Sequence, residues 1–176
     1  MSRIFGPPKQ NGFVVENLIA AARYWIDVNG AGPFFVLRHL RFEYFRYHGQ
    51  ATAPDISLAI GYLGDLEVEL IQQHNQEPSP YLTFGSAKGD GLHHISSWTT
   101  DYEQTLAGLA TSGRIPDCEG RIVGASRFAY FNSDALDGSA FEVSDLGPSN
   151  EFGLLHEFAR DASIGWDGSE PIREIG

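Results

Sequence analysis

The spacing of apolar residues changes period several times along the chain, and the changes mark out its elements. Residues 10–15, Gln-Asn-Gly-Phe-Val-Val, form a short β-prone run. Asn17 then supplies a helix N-cap, and Leu18, Ala21, Ala22, Trp25, Ile26 and Val28 recur near a helical period until Asn29-Gly30-Ala31-Gly32-Pro33 stops them. Residues 34–47 read as one long aromatic-rich strand whose Arg38, Arg41, Glu43 and Arg46 meet water or a ligand. Residues 55–62 alternate, and Leu63-Gly64-Asp65 turns them into 66–71 as a hairpin. A polar connection at 74–88 follows, with room for one helical turn near Tyr81.

The second half begins at Gly91-Leu92-His93-His94, which leads into another short strand. Thr100 or Asp101 caps a helix that runs to Ala110, and Ser112-Gly113 ends it. Further strands are predicted near 114–123, at 127–132, and at 139–145 after an Asp137-Gly138 turn. Each half therefore reads β-α-β-β-β, a repeat of element order more than of residue identity. The fold class is α+β, with modules at 8–75 and 90–147. A C-terminal stretch, 148–176, follows the Gly147-Pro148 break; it carries an amphipathic helix at 150–162 and a tail packed on the body or on a second subunit.

Composition narrows the function classes. The 42% hydrophobic and 20% charged fractions of this 176-residue chain describe a globular protein with one sizeable core. No window approaches the ~18 apolar residues of a membrane span, and the start Met-Ser-Arg-Ile-Phe-Gly-Pro-Pro lacks a signal-peptide core. The expectation is a cytoplasmic protein with no membrane partner. A net charge of -11 repels a phosphate backbone, so no nucleic-acid partner is expected. Cys118 is the only cysteine, which excludes an internal disulfide and a Cys-rich zinc motif. Any metal site must use His, Glu, Asp or Gln.

Aligning the halves pairs Gln10 with His94 and Glu69 with Glu142. Strand alternation agrees with this pairing. Phe13, Val15, Val68, Leu70, Ile95, Phe141 and Val143 turn toward helix-covered core, leaving Gln10, Glu69, His94 and Glu142 on the opposite face, around one cavity. The same parity turns His93 toward the core and leaves Glu67, one pleat from Glu69, at the rim. His74, Trp98, Arg127 and Tyr130 are candidates for substrate contact or support of the site; Arg38, Arg41, Tyr47 and His48 could also line the cup.

The segments Gln-Asn-Gly-Phe-Val-Val-Glu-Asn-Leu, Val-Glu-Leu-Ile, Gly-Leu-His-His-Ile and Phe-Glu-Val, set in paired modules, resemble the vicinal oxygen chelate superfamily, which includes glyoxalase I and methylmalonyl-CoA epimerase. The resemblance covers roughly residues 8–147. It implies a cup-shaped mixed sheet of the glyoxalase/bleomycin-resistance/dioxygenase type. It also implies a divalent metal held by Gln10, Glu69, His94 and Glu142, one from the first and last strand of each module, and a homodimer. Many members carry His where this chain has Gln10. A Gln, Glu, His, Glu set is similar to animal-type glyoxalase I and unlike the two-His, one-Glu iron site of the ring-cleaving dioxygenases.

The chemistry of these donors points the same way. Carboxylate, amide oxygen and imidazole suit Zn, Ni, Co or Mn, and two glutamates offset a 2+ charge. Such an ion polarises a carbonyl, and Glu142, or else Glu69, can move the proton from the adjacent carbon. The expected activity is that of an isomerase, epimerase or lyase acting on a small-molecule substrate. The alternative is a non-catalytic small-molecule-binding protein of the same fold, which the aromatic run at 34–47 suggests.

Overall fold

The computed structural model describes residues 4–132, 139–146 and 150–175. The expected Asp137-Gly138 turn and Gly147-Pro148 break lie outside them. The first half contains β1 (Pro8–Val14), α1 (Leu18–Asn29), β2 (Phe34–Leu37), β3 (Phe42–Tyr47), β4 (Gln50–Ala51), β5 (Ile56–Leu63) and β6 (Leu66–Gln73). After α2 (Pro80–Lys88) come β7 (Gly91–Thr99), α3 (Tyr102–Thr111), β8 (Cys118–Ile122), β9 (Arg127–Asn132) and β10 (Ala140–Asp145). The chain ends with α4 (Glu151–Ser163) and β11 (Ile172–Ile175).

Local chemistry accounts for the helices. Asn17 Oδ1 accepts the Ala20 N–H at 3.0 Å to start α1, and Gly30, in the left-handed region at φ 68°, stops it. The buried face of α1, Leu18 and Ala22, packs on Ala59, Val68 and Leu70. The connection after β6 holds a nine-residue helix where one turn was expected. Ser79 Oγ caps it, accepting the Leu82 N–H, and Pro80 occupies the first position, where its missing N–H costs nothing. No helix among the described residues is long and apolar enough to cross a membrane.

All strands belong to one mixed sheet, in the order β11-β2-β5-β6-β1-β7-β10-β9-β8-β3-β4. The last strand of each half lies parallel to the first, β6 on β1 and β10 on β7, and β1 meets β7 antiparallel at the centre. The single long strand expected at 34–47 is instead two. β2 pairs with β5, whereas β3 pairs with β8 of the second half. The break falls on Arg38-His39-Leu40-Arg41, a run with no Gly or Pro to announce it; His39 takes φ 50°, a conformation few non-glycine residues adopt.

That break closes the cup. β2 and β3 stand second and tenth in the sheet, yet four residues join them, a span of at most about 17 Å. The sheet must curl until its sides meet. The Leu40 N–H donates to the Ile56 carbonyl at 2.7 Å and the Val123 N–H donates to the Arg41 carbonyl at 2.8 Å, so the linker bonds to both sides. Outside, α1 and α3 cover the convex face, the latter with Tyr102 and Leu109 on Ala129, Phe131 and Val143. Inside, Phe45, Phe128, Tyr130 and Tyr81 fill one end of the cup.

The C-terminal segment fills the other end. α4 forms where an amphipathic helix was expected, capped by Asn150 Oδ1, which accepts the Gly153 N–H at 2.6 Å. Phe152 and Ala159 of α4 pack on Phe35, Leu58, Ile60 and Tyr62. β11 adds a parallel edge strand on β2 that no pattern in the sequence suggested.

Candidate functional site

Gln10, Glu69, His94 and Glu142 stand on β1, β6, β7 and β10, four strands adjacent in the sheet. The structure brings all four together. His94 Nε2 lies 3.4 Å from Gln10 Oε1, 3.5 Å from Glu69 Oε2 and 3.3 Å from Glu142 Oε2. None of the four side chains is appreciably exposed; His94 is 0% accessible and Glu69, the most open, 8%.

Backbone register explains how four polar groups converge there. Gly12 of β1 sits opposite Glu69 on one side and His94 on the other. A β-carbon on Gly12 would fall within the His94 imidazole, so the missing side chain is what lets the ring lie across the strand. A glycine inside a β-prone run is a legible sign of close approach, although nothing in the sequence identified the group approaching.

Glu67 departs from the rim position expected for it. It is fully buried, and Gln10 Nε2 donates to its Oε1 at 2.6 Å. With the amide nitrogen so engaged, Gln10 turns its oxygen toward His94. A hydrogen bond to the far side of a ligand is the usual way to fix its orientation. His156 Nδ1 bonds the other oxygen, Glu67 Oε2, also at 2.6 Å. Parity puts Glu67 on the cup face; the depth comes from α4, which covers it.

His93 also departs from expectation. Gly12 pairs with His94 but Phe13 pairs with Leu92, so β7 carries an extra residue at His93, a β-bulge. Alternation fails across a bulge. The two imidazoles touch, Nδ1 to Nδ1 at 3.1 Å, and both lie against the Tyr130 ring. Burial, with His94 alongside, holds the His93 pKa well below its usual value, so this ring is neutral.

The two carboxyls differ. Burial, reinforced by Glu142 and Glu67, pushes Glu69 well above the usual carboxylate range. Burial acts on Glu142 too, but His94 and the Ser96 and Ser144 hydroxyls outweigh it and hold Glu142 below that range.

A divalent ion suits this donor set. Glu142 Oε2 is buried with no well-aligned hydrogen bond, although His94 Nε2 lies 3.3 Å away. The three oxygens each stand 3.3–3.5 Å from His94 Nε2, the spacing of neighbouring ligands of an ion bound at about 2.0–2.2 Å, although among the described residues no three His, Asp or Glu are already arranged as a closed metal site.

The family model described as the Glyoxalase/Bleomycin resistance protein/Dioxygenase superfamily matches residues 9–131. The chain belongs to that superfamily. Among solved structures, methylmalonyl-CoA epimerase from Mycobacterium tuberculosis is 14% identical, with a TM-score of 0.57 over 82% of this chain and 90% of that one. A Streptomyces coelicolor methylmalonyl-CoA epimerase in complex with 2-nitronate-propionyl-CoA is 16% identical, with a TM-score of 0.54 over 78% and 92% of the two chains. At such identities the likeness is one of fold, and it bears out the α+β cup. No curated protein sequence matches significantly. The superfamily match ends before α4, so the helix that carries His156 lies beyond it.

Within this superfamily cup the other candidate residues separate clearly. Tyr130 lines the cavity and shares a 3.0 Å hydrogen bond with the Tyr81 hydroxyl; burial raises both phenols well above their usual pKa, so both stay protonated. Trp98 is half-buried with its ring edge on His156, 5.4 Å between centroids. His74 stands apart from the cavity: its Nε2 meets Ser57 Oγ at 2.8 Å and its ring lies 4.9 Å from that of His39. Arg127 faces α3, bonding Asp145 at 3.0 Å and Glu103 above the Tyr102 ring, because alternation on β9 gives the cup Phe128 and Tyr130. Arg38 pairs with Glu174, Tyr47 donates to Thr83 Oγ1, His48 approaches Asp117, and Arg41 is exposed. None of these last four lines the cavity.

The cavity itself is about 30 Å³; its polar lining is Gln10, Glu69, Tyr81, Ser126, Tyr130, Glu142, Ser144 and His156, with His94 behind that wall. That volume holds about one or two waters.

Proposed function

We propose that this superfamily member is a metal-dependent isomerase, epimerase or lyase that removes the proton next to a carbonyl in a small molecule carrying two neighbouring oxygens. The observation that carries the reading is the buried convergence of Gln10 Oε1, Glu69 Oε2 and Glu142 Oε2 on His94 Nε2, at 3.3–3.5 Å. Those four residues would hold the ion, Zn, Ni, Co or Mn. When bound, it supplies Lewis-acid polarisation of the substrate carbonyl.

The chain's own residues do the rest. Glu142, which His94 and two serine hydroxyls hold below the usual carboxylate range, is the preferred base that takes the proton from carbon, with Glu69 as the other candidate. Tyr130 and Tyr81, protonated and hydrogen-bonded to each other at the cavity wall, present donors to a substrate oxygen. The surrounding Phe42, Phe128 and Phe152 keep water out, which strengthens each of these interactions. The acting unit in this proposal is a homodimer.

A sequestering protein of the same fold fits less well, since the four buried, convergent side chains are of metal-binding type and serve no purpose in a pocket that only stores a ligand. One structural neighbour is a methylmalonyl-CoA epimerase in complex with methylmalonyl-CoA. Here Arg38, Arg46, Arg121 and Arg127 are each engaged by a carboxylate, while Arg41 is exposed and has no ion pair among the described residues. Small α-hydroxycarbonyl compounds and acyl thioesters both belong in the test.

Isotope exchange tests it. In heavy water, protein loaded with Ni²⁺ should wash deuterium into at least one member of a panel of small α-hydroxycarbonyl compounds and 2-methyl-acyl thioesters, and Glu142→Gln should slow the exchange by about 100-fold or more. Exchange at the same rate in Glu142→Gln, or none with any member of the panel, would overturn the reading.

A further inference from the structure

α4 does more than cover the cup. It delivers His156, 2% accessible, to the cavity wall beside Gln10, Glu69 and Glu142. Three contacts fix the ring. Its Nδ1 bonds Glu67 Oε2 at 2.6 Å, the Phe152 ring stands edge-on at 4.8 Å, and the Trp98 ring at 5.4 Å. The helix is itself pinned there, because Tyr62 donates its hydroxyl to the His156 carbonyl at 3.3 Å.

The other ring nitrogen, Nε2, is buried and has no hydrogen-bond partner. A buried polar atom left unsatisfied costs about 1–3 kcal/mol. A histidine serving only to tie α4 to Glu67 would leave Nε2 to a cavity water at best, and a hydroxyl could make the tie with no second ring nitrogen to satisfy. The arrangement is that of a carboxylate orienting an imidazole whose far nitrogen addresses a ligand.

We propose that His156 is a substrate-contacting residue whose Nε2 hydrogen-bonds the molecule bound at the Gln10, Glu69, His94 and Glu142 centre, with Glu67 as the positioning residue that holds the ring. In the neutral tautomer that donates Nδ1–H to Glu67, Nε2 offers a lone pair. The ligand it selects therefore carries a hydroxyl or N–H donor next to its two neighbouring oxygens. A compound lacking that donor leaves Nε2 unpaired and is discriminated against. This inference rests on the metal-site reading above and adds to it a residue outside the superfamily match.

The test uses two chelators with neighbouring oxygens: acetohydroxamate, which carries an N–H, and oxalate, which carries no donor. Their affinities for Ni²⁺-loaded wild type, His156→Asn and His156→Phe are measured by calorimetry, with ¹⁵N NMR of the histidine rings in Zn²⁺-loaded wild type alongside. Both variants should hold Ni²⁺ within about twofold of wild type and bind oxalate as it does, while acetohydroxamate weakens by about tenfold. In wild type the His156 Nε2 resonance should move with acetohydroxamate and not with oxalate, a readout that needs no variant to fold. Ni²⁺ bound normally, with acetohydroxamate unaffected by either substitution or leaving the Nε2 resonance in place, would overturn the role of His156 alone. Wild type that takes up no Ni²⁺ would overturn the metal-site reading and this inference with it.

Discussion

Alanine in place of Gly12 is expected to weaken the fold and the hold on a divalent ion together. The new methyl would occupy the His94 ring position, and His94 is wholly buried, so the ring has no free space into which to retreat. Overpacking of this kind costs about 1–3 kcal/mol. Tipping the imidazole away from Gln10, Glu69 and Glu142 should lower Ni²⁺ affinity by about 10- to 100-fold, as when a ligand loses its orientation. Urea unfolding and a Ni²⁺ titration measure the two effects. The cause is isolated by repeating the substitution in a His94→Ala background, where the clash is gone and the stability penalty should vanish. An equal penalty in both backgrounds would show that Gly12 does not serve His94.

Glu67→Ala is expected to be the most destabilising single change in the cup. One carboxylate satisfies Gln10 Nε2 and His156 Nδ1, both buried, and its removal strands both. At about 1–3 kcal/mol for each orphaned group, the loss is about 2–6 kcal/mol by chemical denaturation. Glu67→Gln, which keeps one acceptor oxygen, should cost less. A loss below about 1 kcal/mol in Glu67→Ala would mean that the Gln10–Glu67–His156 chain is not what holds this end of the site.

Much of this architecture is legible in the amino-acid sequence. α1, the hairpin of β5 and β6, and β7 to β10 follow from hydrophobic period, Asn and Asp caps and glycine stops, because each is decided by neighbours in sequence. Gln10, Glu69, His94 and Glu142 can be selected together because the repeat gives each a counterpart and strand alternation gives all four one face. What sequence patterns miss depends on contacts between distant residues. The break at Arg38–Arg41 is imposed by closure of the cup, where the linker bonds both Ile56 and Val123. His93 escapes the alternation rule through a single-residue bulge that no residue type signals. Glu67 becomes a buried centre only because α4 folds back over it from 89 residues away. Arg127 and His74 draw attention as residue types, but one faces α3 and the other is bound to Ser57.

The central claim is that four side chains from two repeated modules form one divalent metal site. Purification without chelators, followed by elemental analysis and calorimetric titration of wild type and His94→Ala with Ni²⁺ and Zn²⁺, tests it most directly. One ion per chain in wild type, and none retained by His94→Ala while its circular dichroism is unchanged, is the predicted result. Wild type that binds neither ion near neutral pH, or His94→Ala that binds as tightly as wild type, would contradict it.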